Sequence, residues 1–204
     1  MIDSQRSPMT RQLQHIDDGI FTISHLFSPD ECLALIARAE SIGFAAASVR
    51  TPRGPQMMTH IRNNDRVVLH DAALAERMWS RAQPLLPVLD HCVPCGVDSQ
   101  LRFYRYCPGQ HFKRHKDGAV TNEAGQTSKL SYLIYLNDDC DGGSTTFRDH
   151  RDVNGTYETV ELIIRPTTGT ALLFRHERWH EGAPVTRGLK YILRTDVFYT
   201  PQRP

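Results

Sequence analysis

The stretch Leu101-Arg102-Phe103-Tyr104-Arg105-Tyr106-Cys107-Pro108-Gly109-Gln110-His111-Phe112-Lys113-Arg114-His115-Lys116-Asp117 decides the fold. It opens on a run of aromatic, apolar and basic residues, breaks at Pro108-Gly109, and resumes as a second short extended run. In such an extended run every second side chain lies on one face of a strand. Proline followed by glycine is turn chemistry between two strands. The same rhythm continues to the C-terminal region and predicts strands over 101–107, 110–117, 129–137, 144–148, 157–164, 170–175, 180–185 and 189–199. Eight short strands in succession point to a mainly β (α+β) chain with a double-stranded β-helix, the jelly-roll of cupin-like barrels, as its core.

Upstream, the pattern is different. Residues 19–27 read as a strand. Ser28-Pro29-Asp30-Glu31 is a helix start, with a serine cap, proline at the first helical position and glutamate to complete a capping box. Leu33, Leu35, Ile36 and Ala39 then give that helix its apolar face, up to Ile42-Gly43. Asp71 starts a second amphipathic helix through Leu74, Met78 and Trp79, which Pro84 and Pro87 must end. The expected organisation is one domain over 1–204. Within it, 1–17 is a flexible leader, 18–100 an N-terminal strand and helix support, and 101–200 the jelly-roll core. Thr51-Pro52-Arg53-Gly54-Pro55 opens a turn-rich segment, Arg50 to Arg66, expected to act as a mobile flap over a site.

The chain has 204 residues and a net charge of +1 with neutral histidines, too little for an electrostatic grip on nucleic acid or an anionic membrane. No apolar run reaches the length of a membrane span, and the N-terminal region has no signal-like apolar stretch. Five scattered cysteines are an odd number, which reads as reduced thiols in a cytoplasmic setting. Cys92-Val93-Pro94-Cys95 is a lone C-x-x-C without the second pair that a structural zinc site needs, so ordinary core or loop cysteines are expected.

His115 and Asp117, two residues apart, would share one face of an extended strand, and His180 comes from a distant one. Two imidazoles and one carboxylate on one face of a metal leave coordination positions open, as in non-haem Fe(II) sites. The neighbours of this set carry a family resemblance. Tyr106-Cys107-Pro108-Gly109-Gln110 before His115-x-Asp117 resembles the start of the core in prolyl 4-hydroxylase-like 2-oxoglutarate/Fe(II) dioxygenases. Ser128 to Asn137 is similar to their central strand, and Gly142-Gly143-Ser144-Thr145-Thr146-Phe147 to their paired-glycine segment. His180-Glu181-Gly182-Ala183-Pro184-Val185, with Gly188 and Lys190, is similar to their distal histidine and oxoacid-binding lysine. The resemblance runs from Leu101 to Tyr199.

That resemblance implies His115, Asp117 and His180 as Fe(II) ligands. It implies Lys190 on the distal carboxylate of 2-oxoglutarate, with Tyr135 and Tyr106 beside the cosubstrate. Dioxygen would be the second cosubstrate, and ascorbate is admitted as a helper. A carboxylate at 117 implies hydroxylation, since related halogenases leave that ligand position empty. The implied activity is hydroxylation of an aliphatic carbon, foremost a peptidyl prolyl residue. A free amino acid or small metabolite is the alternative substrate, and a catalytically silent jelly-roll binding module the alternative of another class. No Arg-x-Asn-x-Thr-x-Arg segment follows His180, unlike in the nucleic-acid demethylases, so no nucleic-acid partner is expected. His111 and His176 flank the ligand candidates without their context.

Strand parity adds a reading that the resemblance does not. Lys190, Arg194 and Asp196 share a face, as do Arg102, Tyr104 and Tyr106. Residues 190 and 194 lie about 13 Å apart on a strand, so Arg194 cannot hold the same carboxylate as Lys190. Arg102, Tyr104, Arg194 and Asp196 are therefore the candidates for contacting a polar substrate.

Overall fold

The computed structural model describes residues 10–51 and 54–202. Two antiparallel sheets form its core. The larger runs in the order Gln12–Asp17, Ile20–Ser24, Ala171–Arg175, Thr127–Tyr135, Lys190–Pro201, Gln100–Tyr106, Asp65–His70 and Ala45–Ala46, and Cys92–Val97 pairs with the far end of Lys190–Pro201. The smaller runs Thr156–Ile164, Thr145–Val153, His180–Gly182, Phe112–His115. This is the expected double-sheet architecture. Its two inner faces meet through residues such as Tyr104, Leu133, Phe147, Phe174 and Ile192.

The helices cover the outer face of the large sheet. Pro29–Ile42 is capped by Ser28, and both arms of the capping box form. Cys32, Leu35 and Ala39 form its buried stripe, while Leu33 is 62% exposed. The three- and four-residue steps of 32, 35 and 39 define the inward face, and Leu33 falls outside it. The second helix, Ala72–Ala82, is capped by Asp71 and passes into a short 3-10 turn, Gln83–Leu85. Leu74, Ala75, Met78 and Ala82 are its buried residues. Both helices join Phe103, Tyr132, Leu193 and Val197 in one apolar cluster behind the sheet.

Several expected boundaries shift. Residues 1–9 of the expected leader lie outside the described residues, but Gln12–Asp17 is a strand and not a flexible leader. Asp17 ties it down through Arg151 and Arg178. The expected strand 110–117 shortens to Phe112–His115, and 180–185 divides into His180–Gly182 and Val185–Arg187. The expected strand 144–148 extends to Thr145–Val153 and pairs with Thr156–Ile164, close to the expected 157–164, in one hairpin.

The segment expected as a flap, Arg50 to Arg66, is also not one loop. Residues 52–53 lie outside the described residues. Its second half is built into the fold: Arg62 and Asn64 are buried and Asp65 starts a strand. Cys92 and Cys95 are half-buried on a strand, and all five cysteines are unpaired.

Candidate metal and oxoacid site

His115 and His180 stand opposite each other in the register between Phe112–His115 and His180–Gly182. Their rings are 4.2 Å apart. Each imidazole has its Nδ1 on a backbone carbonyl: His115 on Lys113 O at 2.8 Å and His180 on Arg178 O at 2.9 Å. A carbonyl only accepts, so Nδ1 carries the proton and Nε2 keeps its lone pair. Both Nε2 atoms lie 3.7 Å from the Asp117 carboxylate, one from each oxygen.

Asp117 is beyond the end of its strand, so strand parity does not place it. Its backbone N–H bonds His176 O at 3.0 Å, which folds the chain back toward the two histidines. Ser131 Oγ donates to Asp117 Oδ2 at 2.6 Å, and Arg194 Nη2 approaches the same oxygen at 3.0 Å. Burial alone would raise the Asp117 pKa. The charge of Arg194, with the imidazoles of His115 and His180 beside the carboxylate, outweighs it and holds the carboxyl well below its usual range. His180 is pushed down to about 4, first by burial and against the pull of Asp117. Two neutral imidazoles and an ionised carboxylate, with ligand atoms within 4.8 Å of one another, are a donor set suited to a divalent first-row metal. Histidine N–H groups fixed by carbonyls are the usual second layer of such sites.

His176 is buried but engaged elsewhere. Its two nitrogens bond Ser128 Oγ at 2.8 Å and Ser131 Oγ at 2.9 Å. It steadies the serine that holds Asp117. His111 is not part of the triad.

Lys190 faces Tyr106 in strand register and is 1% exposed. Its ammonium donates to Gly143 O and lies 5.1 Å and 5.7 Å from the Tyr106 and Tyr135 ring centroids. Tyr135 donates to Thr145 Oγ1 at 2.7 Å. Among the described residues, no carboxylate forms a salt bridge with Lys190, and burial pushes its pKa down to about 8. A buried ammonium without a counter-charge is poised for an anionic ligand. Gly143 (φ 64°) makes this approach possible: a Cβ there would stand 2.9 Å from Lys190 Cδ.

The triad and Lys190 line one pocket, together with Tyr104, Tyr106, Thr145 and Arg194. The other two candidates from strand parity lie differently. Asp196 is 1% exposed and receives Arg102 at 3.0 Å and Arg194 at 3.3 Å. Arg102 spends its second amino group on Gln100 Oε1 at 3.0 Å. Neither lines the pocket, so Asp196 is an internal anchor for two arginines and Arg102 is engaged away from a ligand. Arg62 packs behind two pocket-lining rings, a place that parity could not find. It comes from the segment expected as a flap, and its guanidinium stacks 4.4 Å from both the Tyr104 and Phe112 ring centroids.

A family model described as the 2OG-Fe(II) oxygenase superfamily matches residues 101–195. That match covers 95 of the 204 residues, a little under half of the chain. A protein of Acanthamoeba polyphaga mimivirus described as a prolyl 4-hydroxylase is 28% identical over 58% of this chain and 55% of its own length. A PKHD-type hydroxylase of Sphingopyxis alaskensis is 27% identical over 87% of this chain and 78% of its own. The match to the viral relative thus spans about half of that protein. Among solved structures, a Trichoplax adhaerens prolyl hydroxylase in complex with a hypoxia inducible factor peptide superposes with a TM-score of 0.64, at 18% identity over 88% of this chain and 83% of the other. That likeness establishes the shared fold. The matched span contains the triad, Lys190 and Arg194, while Arg62 lies outside it.

Proposed function

We propose that this protein is a 2-oxoglutarate- and Fe(II)-dependent dioxygenase that hydroxylates an aliphatic carbon, foremost of a peptidyl prolyl residue. The observation that carries the reaction class is one pocket holding both the His115-Asp117-His180 cluster and a buried Lys190 without a counter-charge. The prolyl substrate rests on the names of the relatives, which comprise prolyl 4-hydroxylases and a PKHD-type hydroxylase.

His115 Nε2, His180 Nε2 and the Asp117 carboxylate would hold Fe(II), and Lys190 would hold the distal carboxylate of 2-oxoglutarate. When bound, Fe(II) with 2-oxoglutarate and dioxygen supplies the oxidising power that decarboxylates the oxoacid to succinate and puts one oxygen atom into a C–H bond. The chain itself supplies position and electrostatics. Lys113 O and Arg178 O fix the imidazole tautomers. Ser131 and Arg194 keep Asp117 ionised and oriented. Phe174, Leu133 and Ile192 wall the pocket with apolar surface, which limits water around the reacting carbon.

Among the described residues no helix is long and apolar enough to cross a membrane. The five unpaired cysteines support a reducing, cytoplasmic setting. A peptide or small-molecule partner is proposed, with no nucleic acid.

The test is succinate release from 2-oxoglutarate with Fe(II), alone and with proline peptides. Iron-dependent succinate is the expected result, with a gain of one oxygen on a proline peptide. No succinate under any iron loading would favour a silent binding module. Hydroxylation of a free amino acid but no peptide would replace the prolyl reading.

A further inference from the structure

The smaller sheet ends on Thr156–Ile164, a strand of nine residues that pairs on one side only, with Thr145–Val153. The register is unbroken from Thr145↔Ile164 to Val153↔Thr156, so no bulge turns this edge away. The strand contains no proline, lysine or arginine. Those are the devices that protect exposed edges from pairing with another chain. Other edges of the two sheets have protection. Phe112–His115 is covered by the preceding segment: Lys113 N–H bonds Ile61 O at 2.8 Å, and Arg62 bridges Phe112. Gln12–Asp17 carries a register shift between His15 and Asp17, and Ala45–Ala46 is only two residues long.

The hairpin turn fixes which backbone groups face outward. Asn154 (φ 54°) and Gly155 (φ 85°) form a two-residue loop between Val153 and Thr156, with both φ positive as a type I′ turn requires. Such a turn closes with the Thr156 N–H on Val153 O. Bonding direction alternates along an antiparallel strand, so residues 156, 158, 160, 162 and 164 bond the neighbouring strand. Tyr157, Thr159, Glu161 and Ile163 then turn their N–H and C=O groups to the open edge. Among the described residues, none of these four has a backbone bond to another segment. The side chains of the same four share the outer face, while Leu162 and Ile164 pack against the core. Tyr157 is 79% exposed, more than any other large apolar side chain among the described residues, and Ile163 is 54% exposed.

We propose that this edge pairs with the same edge of a second copy of the chain, antiparallel about a two-fold axis at Val160. Opposed residues in an antiparallel ladder are either both hydrogen-bonded or both not, so an outward-facing residue must meet an outward-facing one. The axis therefore passes through a residue and not between two. At Glu161 it would set that carboxylate against its own copy, which like charge disfavours. At Thr159 it would set Ile163 against Gly155 in the turn and leave it without an apolar partner. At Val160 the whole strand is used. Tyr157 then faces Ile163 of the second copy on both sides of the axis, a favourable aromatic and β-branched pair. Thr159 faces Glu161, whose charge its own Arg148 already balances at 2.6 Å. The contact is the same patch on both copies, so it closes as a dimer. One strand edge is a small interface, and the dimer is accordingly reversible.

Sedimentation of the whole chain should show a concentration-dependent equilibrium between monomer and dimer. Thr159→Pro removes an outward N–H and spares the bonds to Thr145–Val153, a place where an edge strand tolerates proline. Tyr157→Lys alters only an exposed side chain and sets a charge against Ile163. The two-fold axis repeats each change, so each should weaken the dimer roughly tenfold or more. Cross-linking reads the register. Residue 160 meets its own copy in a non-hydrogen-bonded pair, with Cα atoms about 4.5 Å apart, within the range of a disulfide. Under mild oxidation Val160→Cys should link two copies, and Glu158→Cys, which faces Leu162, should stay at the level of the unaltered protein. A monomer at every concentration up to millimolar, a dimer that withstands both Thr159→Pro and Tyr157→Lys, or equal cross-linking at 158 and 160 would overturn the proposal.

Discussion

Arg194 Nη2 lies 3.0 Å from Asp117 Oδ2, so a buried guanidinium leans on the carboxylate of the metal cluster. The same oxygen accepts the hydroxyl of Ser131. Asp117 thus has two tasks: it offers charge to a metal and it balances Arg194. Asp117→Ala removes both. Succinate formation and tight Mn(II) binding should be lost, and the metal-free protein should lose about 3 kcal/mol in urea unfolding, the scale of a broken buried ion pair. Unchanged stability of the metal-free variant would show that the contact contributes nothing to the fold.

Lys190 sets a pH limit on cosubstrate capture. Burial brings its pKa down to about 8 from 10.5. The protonated form attracts the oxoacid carboxylate, so kcat/KM for 2-oxoglutarate should be level below about pH 8 and fall as pH rises through it. The stability effect has the opposite sign. Between pH 8 and 10.5 the unfolded chain holds the proton that the folded chain has lost, so this group makes the metal-free protein more stable as pH rises there. Lys190→Ala should raise KM for 2-oxoglutarate by roughly ten- to hundredfold, the worth of one charge-assisted hydrogen bond, with a smaller effect on the iron requirement. Lys190→Arg should not restore it, because the planar fork needs a different donor geometry.

Gly143 tests the same anchor from the backbone side. Alanine there would be strained at a φ of 64° and would bring a methyl group within 3.0 Å of Val185 Cγ2 as well as against Lys190. Gly143→Ala should cost about 1–2 kcal/mol and move the ammonium. The readout is a raised KM for 2-oxoglutarate with Mn(II) affinity nearly unchanged. Loss of metal binding in equal measure would mean that the damage is not local.

The first helix carries an acid-sensitive clamp. Glu31 closes the capping box on Ser28 and takes two bonds from Arg81, at 2.7 Å and 2.9 Å. The Arg81 bonds are the largest influence and hold Glu31 down at about 2, below the ordinary 4.5. A depressed carboxyl contributes stability above the unfolded value and loses it as pH falls through the folded one. Glu31→Gln should therefore cost about 1–2 kcal/mol at pH 7, and the gap to the unaltered protein should close between about pH 4.5 and 2. Urea midpoints across that range measure it.

Much of the molecule could be read from local pattern. Ser28, Pro29 and Glu31 announce the first helix because capping is satisfied within four residues. Asp71 announces the second for the same reason. The turn at Pro108-Gly109 and the aromatic-rich run 101–107 mark the core, since turn chemistry and strand propensity are properties of the chain itself. Leu33 shows the limit, because apolar character alone does not tell which helix face meets the sheet.

Sequence alone determined the element types, the jelly-roll class, and His115, Asp117, His180 and Lys190 as the residues to watch. Tertiary structure alone decided what those residues touch. Asp117 reaches the histidines through a backbone bond to His176, not through strand parity. Of the residues that periodicity made equivalent, Arg102 is spent on Asp196 and Gln100, while Arg194 bridges Asp196 and Asp117. Arg62 comes from 39 positions before the start of the matched span, through a bridge to Phe112, to pack on the pocket-lining rings of Tyr104 and Phe112. The physical reason is range: periodicity and capping act over a few residues, whereas pairing of buried charges depends on which distant strands fold into contact.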